Sequence, residues 1–138
     1  MNASEKKKIL VVEDNAMNME LVADVLEAEG YAVHKAVTAE EGIRRAEAEQ
    51  PALILLDISL PGMDGIAAAR MLKINPRTAG IPLIALTAHV MQGDRERVRE
   101  AGCDGYLMKP IDVATFRKDI ARFLRGEKQE REIPPGNR

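Results

Sequence analysis

A single cysteine, Cys103, stands in a chain of 138 residues. That excludes an intramolecular disulfide and a cysteine-rich zinc site, and it fits a reducing, cytoplasmic setting. Charge of one sign is equally lacking: 20 basic and 22 acidic residues leave a formal net charge of -2, so there is no global electrostatic footprint of a nucleic-acid binder. No apolar run approaches membrane-spanning length, and Lys6-Lys7-Lys8 is not followed by the apolar region and cleavage site of an export signal. Internal repeats are absent too. What remains is a chain that is 46% hydrophobic and long enough for one domain with a real core.

The core pattern is an alternation of two periods. Lys7-Lys8-Ile9-Leu10-Val11-Val12 reads as a buried strand, and it ends in Glu13-Asp14. From Asn15 to Glu29 the residues Met17, Leu21 and Val25, with Val22 and Leu26, fall at helical spacing, and Gly30 supplies the stop. Tyr31 to Ala36 is a second strand. Thr38-Ala39-Glu40-Glu41 is a capping box opening a helix through Ile43 and Ala46, which Pro51 ends.

Leu53-Ile54-Leu55-Leu56 has no polar alternation, the mark of a strand covered on both faces, and it ends in Asp57 and the Pro61-Gly62 turn. A helix from about Asp64 to Ile74 closes before Pro76. The fourth strand spans Ile81 to Leu86, with Pro82 at its first positions, and ends at Thr87. A charged helix over Val90 to Ala101 stops at Gly102. A short strand, Gly105 to Met108, leads to Lys109-Pro110, and Asp112 caps a last helix with Phe116, Ile120, Phe123 and Leu124 on one face. The expected division is a flexible N-terminus (1–6), one domain (7–126) and a disordered tail (127–138).

Five strand-helix units in strict alternation imply a doubly wound α/β fold, a five-stranded parallel sheet with helices on both faces. The polar groups then gather at the carboxyl ends of the strands: Glu13-Asp14, Asp57, Thr87 and Lys109. In the flavodoxin-like strand order 2-1-3-4-5 the first and third strands are neighbours, so three carboxylates meet in the crevice where such sheets bind ligands. An oxygen-only set of this kind suits Mg²⁺. With a hydroxyl and an ammonium beside it, the group matches a site for a phosphoryl group on Asp57.

Glu13-Asp14-Asn15, Asp57 with Leu60-Pro61-Gly62-Met63-Asp64-Gly65, Thr87-Ala88, and Tyr106 before Lys109-Pro110 together resemble the receiver domain of bacterial response regulators, from Lys7 to about Arg125. Through Asn15-Ala16-Met17-Asn18 and Met91-Gln92-Gly93-Asp94 the chain is most similar to single-domain regulators of the DivK kind and to the receivers of hybrid histidine kinases. The resemblance implies that Asp57 accepts a phosphoryl group from a phosphohistidine of a sensor histidine kinase or phosphotransfer protein, without the chain being an enzyme in the ordinary sense. It also implies Mg²⁺ held by Glu13, Asp14, Asp57 and the Ser59 carbonyl. Thr87 and Lys109 would meet the phosphoryl oxygens, Thr87 and Tyr106 would form the switch, and Lys109-Pro110 would be cis. Ser59 and His89 occupy positions that bear on phosphoryl lifetime.

A phosphatase of the haloacid dehalogenase type also places a nucleophilic Asp after a parallel strand, but it needs a second Asp where Ser59 stands. A pseudo-receiver without phosphoryl chemistry does not account for the intact acids, Thr87 and Lys109. Output is expected through a downstream protein target, with no DNA binding and no membrane insertion. The partner surfaces expected are Asn15 and Met17 beside the site, and a rim of Arg95, Arg99, Tyr106 and Arg117 on the face of the fourth helix, fifth strand and fifth helix. His34 is expected to be an exposed polar residue, and Cys103 a small buried or loop residue.

Overall fold

A computed structural model describes residues 6–58, 65–88 and 92–127, with the side chains of 92–95 left aside. Its elements run β1 (Lys8–Val12), α1 (Ala16–Ala28), β2 (Ala32–Ala36), α2 (Ala39–Glu49), β3 (Leu53–Asp57), α3 (Gly65–Ile74), β4 (Leu83–Thr87), α4 (Gln92–Glu100), β5 (Gly105–Met108) and α5 (Val113–Leu124). All four strand pairings are parallel, in the order β2-β1-β3-β4-β5. The expected architecture is therefore observed. The segment 59–64, His89 and the tail beyond Glu127 lie outside the described residues.

Successive side chains of a strand point to opposite faces, and the unbroken apolar runs divide between two cores accordingly. Leu10, Val12, Ile54, Leu56, Leu83 and Ala85 pack with Ala46, Ile66, Ala69, Leu72 and Val98 of α2, α3 and α4. Ile9, Val11, Leu53, Leu55, Ile84 and Leu86 pack with Met19, Val22 and Leu26 of α1 and Phe116, Ile120 and Phe123 of α5. Burial on this scale contributes roughly 1.5–3 kcal/mol per large aliphatic side chain. Ile120 is fully buried in the second layer, so Ile120→Ala is expected to cost about 2–5 kcal/mol in urea unfolding.

Local signals hold the ends. Thr38 caps α2 by accepting from Glu41 N–H at 3.1 Å, while Glu41 Oε1 accepts from Val37 N–H at 2.9 Å. The carboxylate thus reaches one residue further back than a capping box requires. Gly30, at φ 94°, follows α1 in the left-handed region expected of a helix stop. After α2 the left-handed residue comes one position earlier, at the C-cap Gln50 with φ 49°, a cost its amide offsets by donating to Glu47 O at 3.2 Å and Arg77 O at 3.0 Å. Pro82 precedes β4 instead of beginning it, and its carbonyl accepts from Ile54 N–H at 2.9 Å.

Two expectations are corrected, those for His34 and Arg117, while the faces of α1 and the place of Cys103 are now defined. Helix α1 buries Met19, Val22, Ala23 and Leu26, leaving Met17 82% and Leu21 41% exposed. Of the residues at helical spacing, Val22 and Leu26 join Met19 in the layer with Ile9 and Val11, Val25 packs at its margin, and Met17 and Leu21 face outward. His34 is half-buried, because the last turn of α2 brings Glu49 Oε1 within 3.8 Å of its Nε2. Arg117 does not join the α4–β5–α5 face: its Nε lies 3.1 Å from Glu29 Oε2 at the end of α1, on the other side of α5. Cys103 is partly buried between α4 and β5, and burial pushes its thiol up to about 12, so it stays a thiol at neutral pH. Among the described residues, no helix is long and apolar enough to cross a membrane.

Candidate functional site

Register brings the acids together. Val12 pairs with Leu56, so the next residue of each strand, Glu13 and Asp57, stand level on neighbouring strands. Asp57 in turn pairs with Leu86, and Thr87 with Met108, which puts Thr87 and Lys109 at the same edge of the sheet. One carboxylate oxygen from each of Glu13, Asp14 and Asp57 lies within 4.8 Å of the others. The expected cluster therefore exists, with Glu13 and Asp57 only 1% and 3% exposed and Asp14 at the surface.

Short loops aim these groups. Glu13 N–H still donates to Ala36 O at 3.0 Å, and Asn15 N–H donates to Glu13 Oε2 at 3.1 Å, which turns the carboxylate inward. Asn15 itself caps α1 through Oδ1, accepting from Asn18 N–H at 2.9 Å. Ile58 N–H donates to Leu86 O at 3.1 Å and fixes the residue after Asp57. Lys109 N–H donates to Thr87 O at 2.9 Å, and the Lys109–Pro110 peptide is cis, as expected.

Lys109 Nζ bridges the two buried acids, donating to Asp57 Oδ2 at 3.1 Å and lying 2.7 Å from Glu13 Oε1. Both contacts are charge-assisted, and the ammonium lies closer to Glu13 Oε1 than to Asp57 Oδ2. Burial raises the Glu13 pKa above its ordinary value, and Asp57 adds to the rise, while Lys109 and the Asn15 N–H oppose it. For Lys109, burial pulls the pKa down, but pairing with Glu13 and Asp57 outweighs it and the net direction is up.

These two shifts act at opposite ends of the pH scale. A carboxyl with a raised folded pKa contributes stability below its unfolded value near 4.5 and loses it as pH rises through the folded value. Ionised Glu13 is thus a cost in the metal-free protein at neutral pH. A lysine with a raised pKa contributes stability below about 10.5 and loses it only above its folded value. Glu13→Gln is accordingly expected to raise metal-free stability at pH 7 relative to pH 4, measured as the difference in urea midpoint from the parent protein.

Three carboxylates within reach of one another, two of them buried, form among the described residues an all-oxygen donor set that fits a hard divalent cation. The pairing of Lys109 with Glu13 was not legible from motif positions, which suggested only a cation facing the phosphoryl group. Its signal is the level register of β1 with β3. Of the other expected residues, Thr87 is buried and Tyr106 half-buried, whereas Asn15, Met17 and Arg99 are exposed. Ser59 and the Arg95 side chain lie outside the described residues.

Comparison with known proteins agrees with this geometry. Residues 9–121 match the family model described as the response regulator receiver domain. The polar-differentiation response regulator DivK of Brucella ovis is 41% identical over 118 residues, which span 86% of this chain and 96% of the relative. The receiver domain of the sensor histidine kinase PA1611 of Pseudomonas aeruginosa PAO1, solved with a magnesium ion coordinated in its active-site cleft, is 35% identical. It has a TM-score of 0.82 over 88% of this chain and 99% of that one. A CheY-like response regulator receiver domain protein from Methanospirillum hungatei JF-1 is 32% identical with a TM-score of 0.80, over 88% of this chain and 96% of its own.

Proposed function

Because the chain belongs to the response regulator receiver family, and so to two-component signalling, we propose that Asp57 is its phosphoacceptor and phosphohistidine its phosphoryl source. An oxygen of the Asp57 carboxylate attacks phosphorus; a P–O bond forms, the P–N bond breaks, and its electron pair stays on the imidazole of the donor. The observation that carries this reading is the buried Glu13–Lys109–Asp57 group with Asp14 beside it.

Glu13, Asp14 and Asp57 would hold Mg²⁺, with the Ser59 carbonyl as a further ligand. Bound there, the ion supplies positive charge against the phosphoryl oxygens, which a cluster of carboxylates otherwise repels. Lys109 is held at the site by its backbone bond to Thr87 and by the carboxylates, so its ammonium is already desolvated and near Asp57 when a phosphoryl group arrives. The Thr87 hydroxyl is the second donor to that group.

A phosphoryl group adds roughly 1.5 to 2 negative charges, and meeting them shifts Thr87 and Lys109 toward Asp57. Tyr106, half-buried on β5, is the aromatic that reports the shift. Partners are a sensor histidine kinase or phosphotransfer protein at the exposed Asn15 and Met17, and a downstream protein at the face carrying Arg95, Arg99 and Tyr106. Output by protein binding and not by DNA binding is part of this proposal, and a cytoplasmic setting accords with the single cysteine.

The experiment is a titration followed by labelling. Mg²⁺ at 100 times its dissociation constant is expected to stabilise the protein by about 2.7 kcal/mol. Asp14→Ala should weaken that binding at least tenfold, and chelation should stop labelling by a small phosphodonor. Unchanged Mg²⁺ affinity in Asp14→Ala contradicts the three-carboxylate site.

A further inference from the structure

Among the described glycines, Gly65 is distinguished by what a side chain would meet there. A Cβ built on it would lie 2.3 Å from Ile58 Cα and 2.7 Å from both the carbonyl carbon and the carbonyl oxygen of Ile58. At Gly42 and Gly102 the obstacle is instead a side chain, Val12 or Lys73, and at Gly30, Gly80 and Gly126 nothing lies within 4 Å. Of these six glycines, only Gly65, the first residue of α3, rests directly on main chain, and that main chain is the residue after Asp57.

We infer that Gly65 is a positioning residue for Asp57: its bare Cα lets the start of α3 close on Ile58, and this contact sets how far the Asp57 carboxylate reaches into the acid cluster. The inference rests on Asp57 as the reactive carboxylate. Ile58 is held from the other side, since its N–H is bonded to Leu86 O at 3.1 Å. Helix α3 is held as well, by buried Ile66, Ala68, Ala69 and Leu72. Carbon atoms settle at about 3.5–4.0 Å, so an added methyl requires roughly 1 Å of movement at one of these two anchored segments. The Asp57 carboxylate, 3.1 Å from Lys109 Nζ and grouped with Glu13 and Asp14, has little tolerance for a shift of that size.

Displacement of a reacting group by about 1 Å can cost 100-fold in rate. Helix propensity works the other way, because alanine favours a helix over glycine, so a loss of reactivity in Gly65→Ala does not come from a weaker α3.

The test compares the parent protein, Gly65→Ala and Leu26→Ala, the last losing stability by a cavity in the opposite layer. Each is assayed for Mg²⁺ affinity by calorimetry and for the rate of acyl phosphate formation with acetyl phosphate, with folding checked by circular dichroism. If Gly65→Ala is unfolded in buffer, all three are measured in trimethylamine N-oxide, which favours the folded state. The expected result is labelling roughly 100-fold slower and Mg²⁺ binding at least tenfold weaker in folded Gly65→Ala, with Leu26→Ala close to the parent in both. Parental rate and affinity in Gly65→Ala, or equal losses in Leu26→Ala, overturn the inference. Should the parent protein take no phosphoryl group, the phosphoacceptor reading falls, and Mg²⁺ affinity alone decides Gly65: tenfold weaker binding upholds its role, and unchanged binding removes it.

Discussion

Lys109→Met is expected to lower the stability of the metal-free protein by about 3–5 kcal/mol, the loss typical when one member of a buried ionic group is removed. Two carboxylates, Glu13 and Asp57, stay behind with almost no access to water, and the charge that lay 2.7 Å from one and 3.1 Å from the other is gone. The remaining acids can relieve their repulsion by holding a proton, so the loss should shrink as pH falls. Mg²⁺ should restore part of the stability at neutral pH, since a cation in the cluster replaces the missing charge. Urea unfolding of both proteins at pH 5 and pH 7.5, with and without Mg²⁺, checks all three statements. A loss below about 1 kcal/mol at pH 7.5 would mean that the ammonium is not balancing the acids.

Asp57→Asn is expected to abolish acyl phosphate formation altogether while leaving the fold intact. The substitution removes the nucleophilic oxygen and one negative charge, and Lys109 keeps Glu13 at 2.7 Å, so a balanced pair remains in place of two acids sharing one base. Stability without metal should not fall, in contrast to Lys109→Met. Labelling with acetyl phosphate and a thermal melt on the same preparation check the two halves together. Stoichiometric label on Asp57→Asn would move the phosphoacceptor elsewhere.

The strands were the most legible part of the sequence, because runs such as Leu53-Ile54-Leu55-Leu56 admit little besides a doubly covered strand, and the residue ending each run is read directly. Asp57, Glu13, Asp14, Thr87 and Lys109 were therefore all identifiable as groups at one sheet edge. The facing of α1 was legible only in part: Val22, Val25 and Leu26 pack on the core, but that Met19 and not Leu21 completes that face follows only from contact with the sheet. Arg117 was misplaced for a related reason: a charged helix position shows that it faces away from the core but not which neighbour it meets, here Glu29. The Gly65–Ile58 contact was invisible as well, because a glycine after a Pro-Gly turn reads as turn chemistry until the backbone beneath it is seen.

The most direct measurement is mass-spectrometric mapping of the protein after incubation with Mg²⁺ and acetyl phosphate, with the acyl phosphate trapped by borohydride reduction before digestion. One modified residue is expected, at Asp57, with the label absent when Mg²⁺ is chelated. A label at another carboxylate, or an equal yield at Asp57 without divalent cation, would contradict a metal-assisted phosphoacceptor at the end of β3.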